Sequence, residues 1–571
     1  MLYSLTSFLL VAFTTLIAVA WRKLYPKPYP GIPYNKKSAT RIIGDVPDLM
    51  SIVQKTNEFS DAIFTTTTQK LGTPIAQLLL PGFQRPLIVL EDPREIEDIV
   101  FRRNKEFDKA PMAINMMSSM FPHASVSQYT TPKLREQKRL WVDVMGADFL
   151  HKAAAPNIHK VTLELLDLWR LKATTIYKGQ PFDVRDDLQN ATLDAIWVAI
   201  IGEEAGTTRH EIMKLRDQLL GGKAARTDSK DRDAPAAVFL KGEMEYIANT
   251  IARNSTTPSP KWASKLETFT PRYRKFRRTV TSEISLAMRK AVDRFQRVEV
   301  GQLEANELDT CMMDMVLRRQ VTEAKKTQKP MTDPTQDQNM LDEMFAMLVG
   351  GHDSTTDSLC WFIRYMEAFP GVQAELREAL RSAFHTCQPG VDEILETGVP
   401  YLDATCEESF RLGGTVKANL RQAIVDTEIL GCHIPKGAQI FMNYHINRPP
   451  VPVDEPKRTS GARAAAEKTG DGFGSRAGND LASFEPRRWL VRDEVTGKEV
   501  FDSRALLSLA FGGGYRGCAG RKLATMEFRI VVTLLILNFE IQELPQKYKC
   551  ESATEKLFRE PDMPYAKLRA L

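Results

Sequence analysis

The chain lacks several features that mark familiar classes of protein. It has 571 residues but only seven cysteines, an odd number in which no two form a C-x-x-C pair. A disulfide framework or a structural zinc site is therefore not expected. A strong charge of one sign is also missing, since 77 Lys and Arg face 72 Asp and Glu and leave a net charge of +5. So slight an excess over this length predicts no nucleic-acid partner.

Long apolar runs are absent as well, apart from one at the N-terminus. Residues 1–20 contain no charged side chain, and as a helix they would be about 30 Å long, the thickness of a bilayer core. Trp21, Arg22 and Lys23 follow, whereas a cleaved signal peptide, the alternative, carries its charges before the apolar run. We therefore predict a transmembrane anchor over 1–21, a proline-rich linker over 22–38 and one large cytosolic domain over 39–571.

The chain as a whole has an ordinary globular composition, with 43% hydrophobic and 26% charged residues. Helical periodicity dominates from 132 to 370, and short strand-like segments lie near the two ends, at 75–80, 87–90, 429–434 and 539–544. This pattern predicts a mainly α fold with small β-sheets. Residues 450–482 are rich in Pro, Gly, Ala and charge, and we predict a flexible insert there.

A glycine-rich loop near the C-terminus has two interpretations. Gly512, Gly514 and Gly517 reproduce the G-x-G-x-x-G pattern of dinucleotide-binding sites, with an apolar run before it and a helix-like run after it. Too few residues follow to complete a parallel sheet, and strands and helices do not alternate before it. A dinucleotide-binding oxidoreductase is therefore only a remote alternative.

A wider window around this loop carries a more specific pattern. Phe511, Gly514, Arg516, Cys518 and Gly520 occupy every defined position of F-x-x-G-x-R-x-C-x-G, and this segment resembles the haem-binding signature of the cytochrome P450 family. The resemblance implies a mainly α cytochrome P450 fold, with haem b as cofactor and Cys518 as the axial ligand of its iron. A loop at a helix start favours thiolate over thiol, and thiolate ligation promotes O–O cleavage. For Cys518 alone, a buried structural cysteine would be the default interpretation.

Further motifs of the same family occur in the expected order. Glu408 and Arg411 form its Glu-x-x-Arg pair, and the resemblance implies a buried structural network that also includes Arg488. Arg421 stands where the family contacts a haem propionate. The usual Trp-x-x-x-Arg of an earlier helix is absent here, and Lys138 is the first choice for its propionate-binding cation, although a solvated basic face explains that cluster equally well.

The predicted helix at about 338–369 contains Gly350 and Gly351 followed by Asp353, Ser354 and Thr355. Adjacent glycines inside a helix cost about 1 kcal/mol each relative to alanine, and they suggest an opening in the helix. The resemblance implies that Asp353 and Ser354 relay protons to bound dioxygen, with Thr355 as a possible participant. The alternative for Ser354 is a hydroxyl bonded back to its own helix.

The resemblance implies a haem-thiolate monooxygenase that oxidises a small apolar molecule. Electrons would come from NADPH through a flavoprotein reductase, at the endoplasmic reticulum membrane, and similarity to filamentous-fungal members suggests secondary metabolism. A haem-thiolate isomerase or dehydratase and a non-catalytic haem sensor remain alternatives.

Two surfaces are candidates for binding the partners of this reaction. A methionine-rich stretch at about 110–125 is expected to contact substrate, and Lys417 is a candidate for meeting an acidic group on it. Basic residues are expected to form a patch for the reductase, with scattered surface charge as the alternative. The patch comprises Arg135, Lys138, Arg139, Arg521, Lys522 and Arg529.

Overall fold

The computed structural model describes residues 24–82, 84–141, 143–220, 236–257, 259–301, 310–328, 333–469 and 480–571. The predicted anchor over 1–21 lies outside these residues. Among the helices that are described, none is both long enough and apolar enough to cross a bilayer.

Helices make up most of the described chain. In order they are α1 (Val46–Thr56), α2 (Phe59–Phe64), α3 (Pro93–Phe101), α4 (Pro111–Met117), α5 (Pro132–Leu140), α6 (Ala147–Phe149), α7 (Ala155–Leu171), α8 (Arg185–Ile201), α9 (Thr207–Leu219), α10 (Ala236–Ser255), α11 (Pro260–Glu267), α12 (Pro271–Glu299), α13 (Met312–Thr327), α14 (Gln338–Ala368), α15 (Pro370–Ala383), α16 (Val391–Glu396), α17 (Pro400–Gly413), α18 (Ser460–Thr469) and α19 (Arg521–Asn538).

The strands are short. They are β1 (Ile75–Leu78), β2 (Leu87–Leu90), β3 (Phe107–Lys109), β4 (Phe182–Asp183), β5 (Ala418–Ala423), β6 (Thr427–Ile429), β7 (Cys432–Ile434), β8 (Gln439–Asn443), β9 (Leu490–Arg492), β10 (Glu499–Phe501), β11 (Phe539–Gln542), β12 (Ala553–Glu555), β13 (Arg559–Pro561) and β14 (Tyr565–Ala570). Five of them form a sheet in the order β1-β2-β8-β5-β3, and within it only β2 and β8 run parallel. The prediction of a mainly α fold with small sheets is confirmed.

Helix α14 crosses the centre of the helical core and is within one residue of the predicted range. It begins where the Asp337 carboxylate accepts a hydrogen bond from the Asn339 amide, 2.8 Å away, which satisfies one of the free N–H groups of the first turn. It packs closely on α8, because a Cβ on Gly351 would lie 2.7 Å from the Ile196 side chain. Gly351 is therefore explained by the close approach of two helices, whereas Gly350 faces open space.

The segment 429–434, predicted as one strand, is a hairpin. Strands β6 and β7 pair antiparallel, with Ile429 opposite Cys432, so that only Leu430 and Gly431 lie between them. Both turn residues have positive φ, 49° and 76°, as a two-residue hairpin turn requires. The apolar residues concealed the turn because only one of its two positions is a glycine.

Part of the predicted insert at 450–482 has regular structure. Helix α18 occupies Ser460–Thr469, and Arg458 just before it is buried. Residues 470–479 lie outside the described residues, and flexibility there stays a prediction. Composition missed the helix because its small residues pack on α3 without needing large apolar side chains.

Candidate functional site

The cysteine loop, residues 511–520, is shaped by three close contacts. The Cys518 amide donates to the Phe511 carbonyl, 2.9 Å away, and closes the loop on itself. Gly514 has φ +62°, and a Cβ there would lie 2.1 Å from the Val100 carbonyl oxygen at the end of α3. A Cβ on Gly513 would lie 2.3 Å from the Phe101 ring. The loop backbone therefore rests directly on the C-terminal turn of α3; only glycine fits at position 514, and a side chain at position 513 would have to displace the Phe101 ring.

Cys518 stands just before α19, which begins at Arg521. Its thiol is accessible yet closely surrounded by protein, and burial is the largest influence on its pKa, which it raises. The amides of Gly520 and Arg521 hydrogen bond to the sulfur, and with the Arg521 charge they act in the opposite direction. Protein donors thus already point at the sulfur, and a cationic partner would complete the stabilisation of its thiolate.

The loop does not have the surroundings of a dinucleotide site. Residues 506–510, which precede it, form no strand, and the loop itself contains a short 3-10 turn (Gly514–Arg516) before α19 begins. The remote dinucleotide alternative is therefore wrong. The Phe511 ring instead packs against the Phe410 ring, with centroids 5.0 Å apart.

Three of the predicted site residues lie in one basic cluster beside this loop. Arg421, on β5, is 5% exposed and donates to the Asn419 side chain and the Leu420 carbonyl. Arg516 donates to the Gln128 carbonyl at 2.9 Å and lies 3.4 Å from the Asp108 carboxylate.

Lys138, on α5, donates to the Tyr515 carbonyl at 3.0 Å, with its ammonium 4.5 Å from the centre of the Tyr515 ring. It therefore reaches the loop itself. Burial and the Arg516 charge lower its pKa.

A fourth cation in this cluster, Lys109, was missed by the sequence analysis. It lies on β3 directly opposite Arg421 on β5. Burial, followed by the charges of Arg516, Arg421 and Lys138, lowers its pKa to about 7. Like charges placed opposite each other on paired strands are destabilising unless an anion lies between them. No local sequence signal marks Lys109, since only the register of two distant strands brings it to Arg421.

The cluster fits the anionic edge of haem. Among the described residues, the acids that act on these four cations are Asp108 and, at Lys138, Glu343, so the cluster has an excess of positive charge in a place partly shielded from water. A carboxylate-bearing ligand held by Cys518 at one point and by the cluster at another would compensate both sites. The residues present therefore fit the cofactor that the sequence implies.

Glu408, Arg411 and Arg488 form the expected buried network. The Arg411 guanidinium donates to both Glu408 carboxylate oxygens, at 2.8 and 2.7 Å, and the Arg488 side chain approaches Glu408 at 3.5 Å. Trp489 donates its indole N–H to the same carboxylate at 2.9 Å, a contact the sequence analysis missed. Arg411 also donates to the backbone carbonyls of Ile446 and Leu481. The network thus ties helix α17 to chain segments far apart in sequence.

The predicted acid and hydroxyl lie on α14. The Ser354 hydroxyl donates to the Gly350 carbonyl one turn earlier, 2.6 Å away, which is the alternative the sequence left open. Thr355 is buried. Burial raises the pKa of Asp353 to about 6, while the Arg185 guanidinium acts to lower it. Asp353 therefore titrates close to neutral pH, as a group that passes protons must.

A second acid one turn further along α14, Asp357, extends this group. Arg185, at the start of α8, pairs with Asp357 at 3.0 Å and with Glu560 on β13 at 2.8 Å. Burial, then the Asp353 charge, raises the pKa of Asp357 well above its usual range. Lys556 pairs with Glu560 at 2.7 Å nearer the surface. Sequence analysis missed Arg185 and Glu560 because they come from elements hundreds of residues apart.

Lys417 does not face a substrate. Its ammonium is buried and pairs with the carboxylates of Glu58 and Asp61, and Glu58 also binds Arg559 at 2.7 Å. Because two carboxylates already balance its charge and the side chain is buried, Lys417 is not available to an acidic substrate group. The hypothesis that it meets one is therefore wrong.

The methionine-rich stretch divides into two parts. Met120 and Phe121 are buried, and the Phe121 ring packs on Phe345 of α14 with centroids 5.7 Å apart. Met116 and Met117 are only partly buried. The first pair belongs to the core, and the second pair is left as the candidate for contact with a ligand.

The predicted basic patch is smaller than expected. Arg529 does not belong to the exposed patch, because its guanidinium donates hydrogen bonds to the Asp403 carboxylate and to two backbone carbonyls. Lys138 is directed to the cysteine loop. The exposed members are Arg135, Arg139, Arg521 and Lys522. They lie on α5 and α19, the two helices that flank the cysteine loop.

Comparison with known proteins gives evidence that is independent of the site geometry. A family model described as Cytochrome P450 matches residues 46–448 and 482–567. The chain is 30% identical to cytochrome P450 monooxygenase TRI13 of Fusarium sporotrichioides, over 95% of each protein. It is 29% identical to cytochrome P450 monooxygenase GME11363 of Pestalotiopsis microspora, over 97% of this chain and 96% of that protein. It is 30% identical to cytochrome P450 monooxygenase xilC of Penicillium rubens, over 95% of this chain and 92% of that protein.

Proposed function

Because the chain belongs to the cytochrome P450 family, we propose that this oxidoreductase is a haem-thiolate monooxygenase that inserts one atom of dioxygen into a small apolar molecule. The observation that carries the proposal is the placement of Cys518. Its accessible thiol stands in a glycine-rich loop, at a helix start, and beside four cations that outnumber the acids acting on them. One ligand with a metal centre and an anionic edge accounts for all of these features together.

The chain's own residues would hold the cofactor at two places. Cys518 would bind the iron through Sγ, with the Gly520 and Arg521 amides directed at the sulfur. Lys109, Lys138, Arg421 and Arg516 would bind the propionates. When bound, haem b supplies the reductive activation of dioxygen and the transfer of one oxygen atom to the substrate.

Proton supply is the part of the reaction that these side chains perform. Asp353 titrates near pH 6, so at neutral pH its carboxylate can take up a proton and release it again. The Ser354 hydroxyl follows it on α14 and is the next carrier. In the described arrangement that hydroxyl donates to Gly350, so it must rotate about χ1 to donate toward the ligand. Serine rotates more freely than the β-branched threonine.

Partners and compartment follow from the same proposal. The exposed cations of α5 and α19 would receive the acidic face of an NADPH-dependent flavoprotein reductase. The apolar segment over 1–21 would anchor the chain in the endoplasmic reticulum membrane with the catalytic domain in the cytosol. An organic substrate of fungal secondary metabolism is supported by relatives from filamentous fungi that match nearly the full length.

The test is the spectrum of the reduced protein with carbon monoxide. We expect the red-shifted Soret band of a thiolate-ligated haem in the full-length protein, lost in Cys518→Ser and kept in the control Cys387→Ser, which removes another exposed thiol. A band that Cys518→Ser leaves in place would refute the ligand assignment. With reductase added, substrate oxidation should require both NADPH and dioxygen, and turnover without either would indicate an isomerase or dehydratase instead.

A further inference from the structure

Residues 449–481 lie between the two parts of the chain that the family model matches. Residues 449–469, the larger described part of this segment, are called the brace here. We propose that the brace holds helix α3 against the cysteine loop and is thereby a positioning element for Cys518. The proposal rests on the proposed function only in treating Cys518 as the haem ligand.

The brace is attached to α3 by buried and directional contacts. Arg458 donates to both oxygens of the Asp92 carboxylate, at 2.6 and 2.7 Å, and these side chains are 5% and 1% exposed. Thr459 donates to the Asp98 carboxylate at 2.7 Å. Asp92 is also the N-cap of α3, since it accepts the Glu95 amide at 2.8 Å. The brace therefore binds α3 at its first turn and again two turns later.

The charges on α3 require such a partner. Asp92, Glu95 and Asp98 are each at most 1% exposed, so one face of this short helix buries three carboxylates. Arg103 pairs with Glu95 at 3.0 Å and Arg102 with Asp98 at 2.5 Å. The bidentate partner of Asp92 is Arg458, which the brace supplies. Removing Arg458 would leave a buried carboxylate without its counter-ion, which strongly favours opening of the structure around it.

The other end of α3 reaches the cysteine loop. As noted above, the Val100 carbonyl and the Phe101 ring lie where Cβ atoms on Gly514 and Gly513 would be. Helix α3 has nine residues and is about 13 Å long, so it is a short rigid link between the brace and the loop. A shift or fraying of α3 would move the surface on which the loop backbone rests.

The ends of the segment 449–481 are fixed as well. Arg411 donates to the Ile446 carbonyl on one side and to the Leu481 carbonyl on the other, and Arg488 donates to the Asp480 carbonyl. The buried network of Glu408 thus holds the chain where it leaves and where it returns. The segment 449–481 is therefore attached to the rest of the domain at both ends and along α3.

Hydrogen exchange in the full-length, haem-loaded protein tests the proposal. In Arg458→Gln we expect about tenfold faster exchange in 93–101 and also in 511–520, where the Cys518 amide bonds Phe511. The matched control is Lys457→Gln, which removes an exposed neighbouring charge that pairs with Asp454. The double variant Asp92→Asn, Arg458→Gln should restore slow exchange, because it leaves no unpaired charge and asparagine still caps the helix.

Faster exchange in both segments, reversed in the double variant, supports the proposal. Faster exchange in 93–101 with 511–520 unchanged would overturn it, and so would no change in either. If Arg458→Gln does not fold, Thr459→Val is judged by the same two segments; it removes the hydrogen bond to Asp98 and the one that Thr459 accepts from the Ala462 amide at the start of α18. The thiolate-type carbon monoxide band should also be lost faster on storage in Arg458→Gln than in Lys457→Gln. Absence of that band in the unmodified protein would instead refute the proposed function, whereas the exchange comparison would still decide the role of the brace.

Discussion

Replacing Lys109 by methionine should have opposite effects on the protein with and without haem. In the chain alone, the buried Lys109 ammonium lies opposite Arg421 and near Arg516 and Lys138, so its charged form is disfavoured. With propionates in the cluster, the same charge would contribute to binding. Lys109→Met keeps most of the side-chain length and removes the charge, and so separates these two effects.

The size of the effect follows from the pKa of Lys109. Burial and the neighbouring cations lower that pKa from 10.5 to about 7, a fall of about 3.5 pH units, and at about 1.4 kcal/mol per unit this amounts to about 5 kcal/mol. Below pH 7 both the folded and the unfolded chain carry the ammonium, and the full penalty applies. Between pH 7 and 10.5 only the unfolded chain keeps the proton, so stability rises with pH.

The measurable shift is smaller than this total. At pH 7 the charged Lys109 destabilises the folded state by about 4 kcal/mol, and Lys109→Met removes this penalty. About 1 kcal/mol of that gain is offset, because the Val126 carbonyl no longer accepts a hydrogen bond from Lys109. An unfolding entropy of about 2.1 cal/mol/K per residue gives about 1.2 kcal/mol/K for this chain. Lys109→Met should therefore raise the Tm of the haem-free protein by about 2 to 3 °C at pH 7, and by less at pH 9.

Scanning fluorimetry of the haem-free protein at several pH values checks the first effect, and transfer of haem to an excess of apomyoglobin checks the second. Lys105→Met, on the exposed surface two residues after Arg103, is the control and should change neither. A lower Tm of haem-free Lys109→Met at pH 7 would refute the electrostatic reasoning, since that is what loss of an ordinary packed side chain produces. Haem loss no faster than in the control would refute the propionate role.

Two further predictions concern the buried carboxylates. Glu408→Gln removes the charge that Arg411 faces and should lower the free energy of unfolding by about 3 to 5 kcal/mol, measured by thermal unfolding. The exposed control Glu485→Gln should change it very little. A loss below about 1 kcal/mol in Glu408→Gln would contradict the structural role of the network. Asp353→Asn should stabilise the protein by about 3 kcal/mol at pH 8 and hardly at all near pH 4. The reason is that the pKa of Asp353 is about 6 in the folded state but near 3.8 in the unfolded chain, so ionisation above pH 4 favours unfolding. The same variant should lower product formed per NADPH consumed, and unchanged coupling would remove Asp353 from the proton route.

Sequence patterns predicted well those features that depend on neighbours a few residues apart. The Glu408–Arg411 pair follows from a spacing of three residues on a helix, and α14 was placed within one residue from its periodicity. The loop around Cys518 follows from glycines that occupy positions where a Cβ would meet α3. The two central glycines of α14 show the limit, because the helix is continuous and Gly351 serves helix packing.

Predictions failed where a side chain's partner lies far away along the chain. The sequence makes Lys417 a candidate for an acidic group on the substrate, but Glu58 and Asp61, more than 350 residues earlier, already pair with it. The segment 450–482 was predicted as a loop because composition carries no information about the buried Asp92 that Arg458 binds. In both cases the surroundings of one charged group decide what it does.

The sequence by itself determined the helical class, the glycine-rich loop that carries Cys518 and the short-range pairs, because backbone geometry fixes which residues within a turn or a loop meet. Only the tertiary structure decided which charges are buried together. The register of β3 against β5 set Lys109 opposite Arg421, and the docking of residues 449–469 gave Asp92 its partner. These contacts depend on how separate elements pack, and the energy of a charge depends on its solvation and its neighbours, neither of which a local pattern contains.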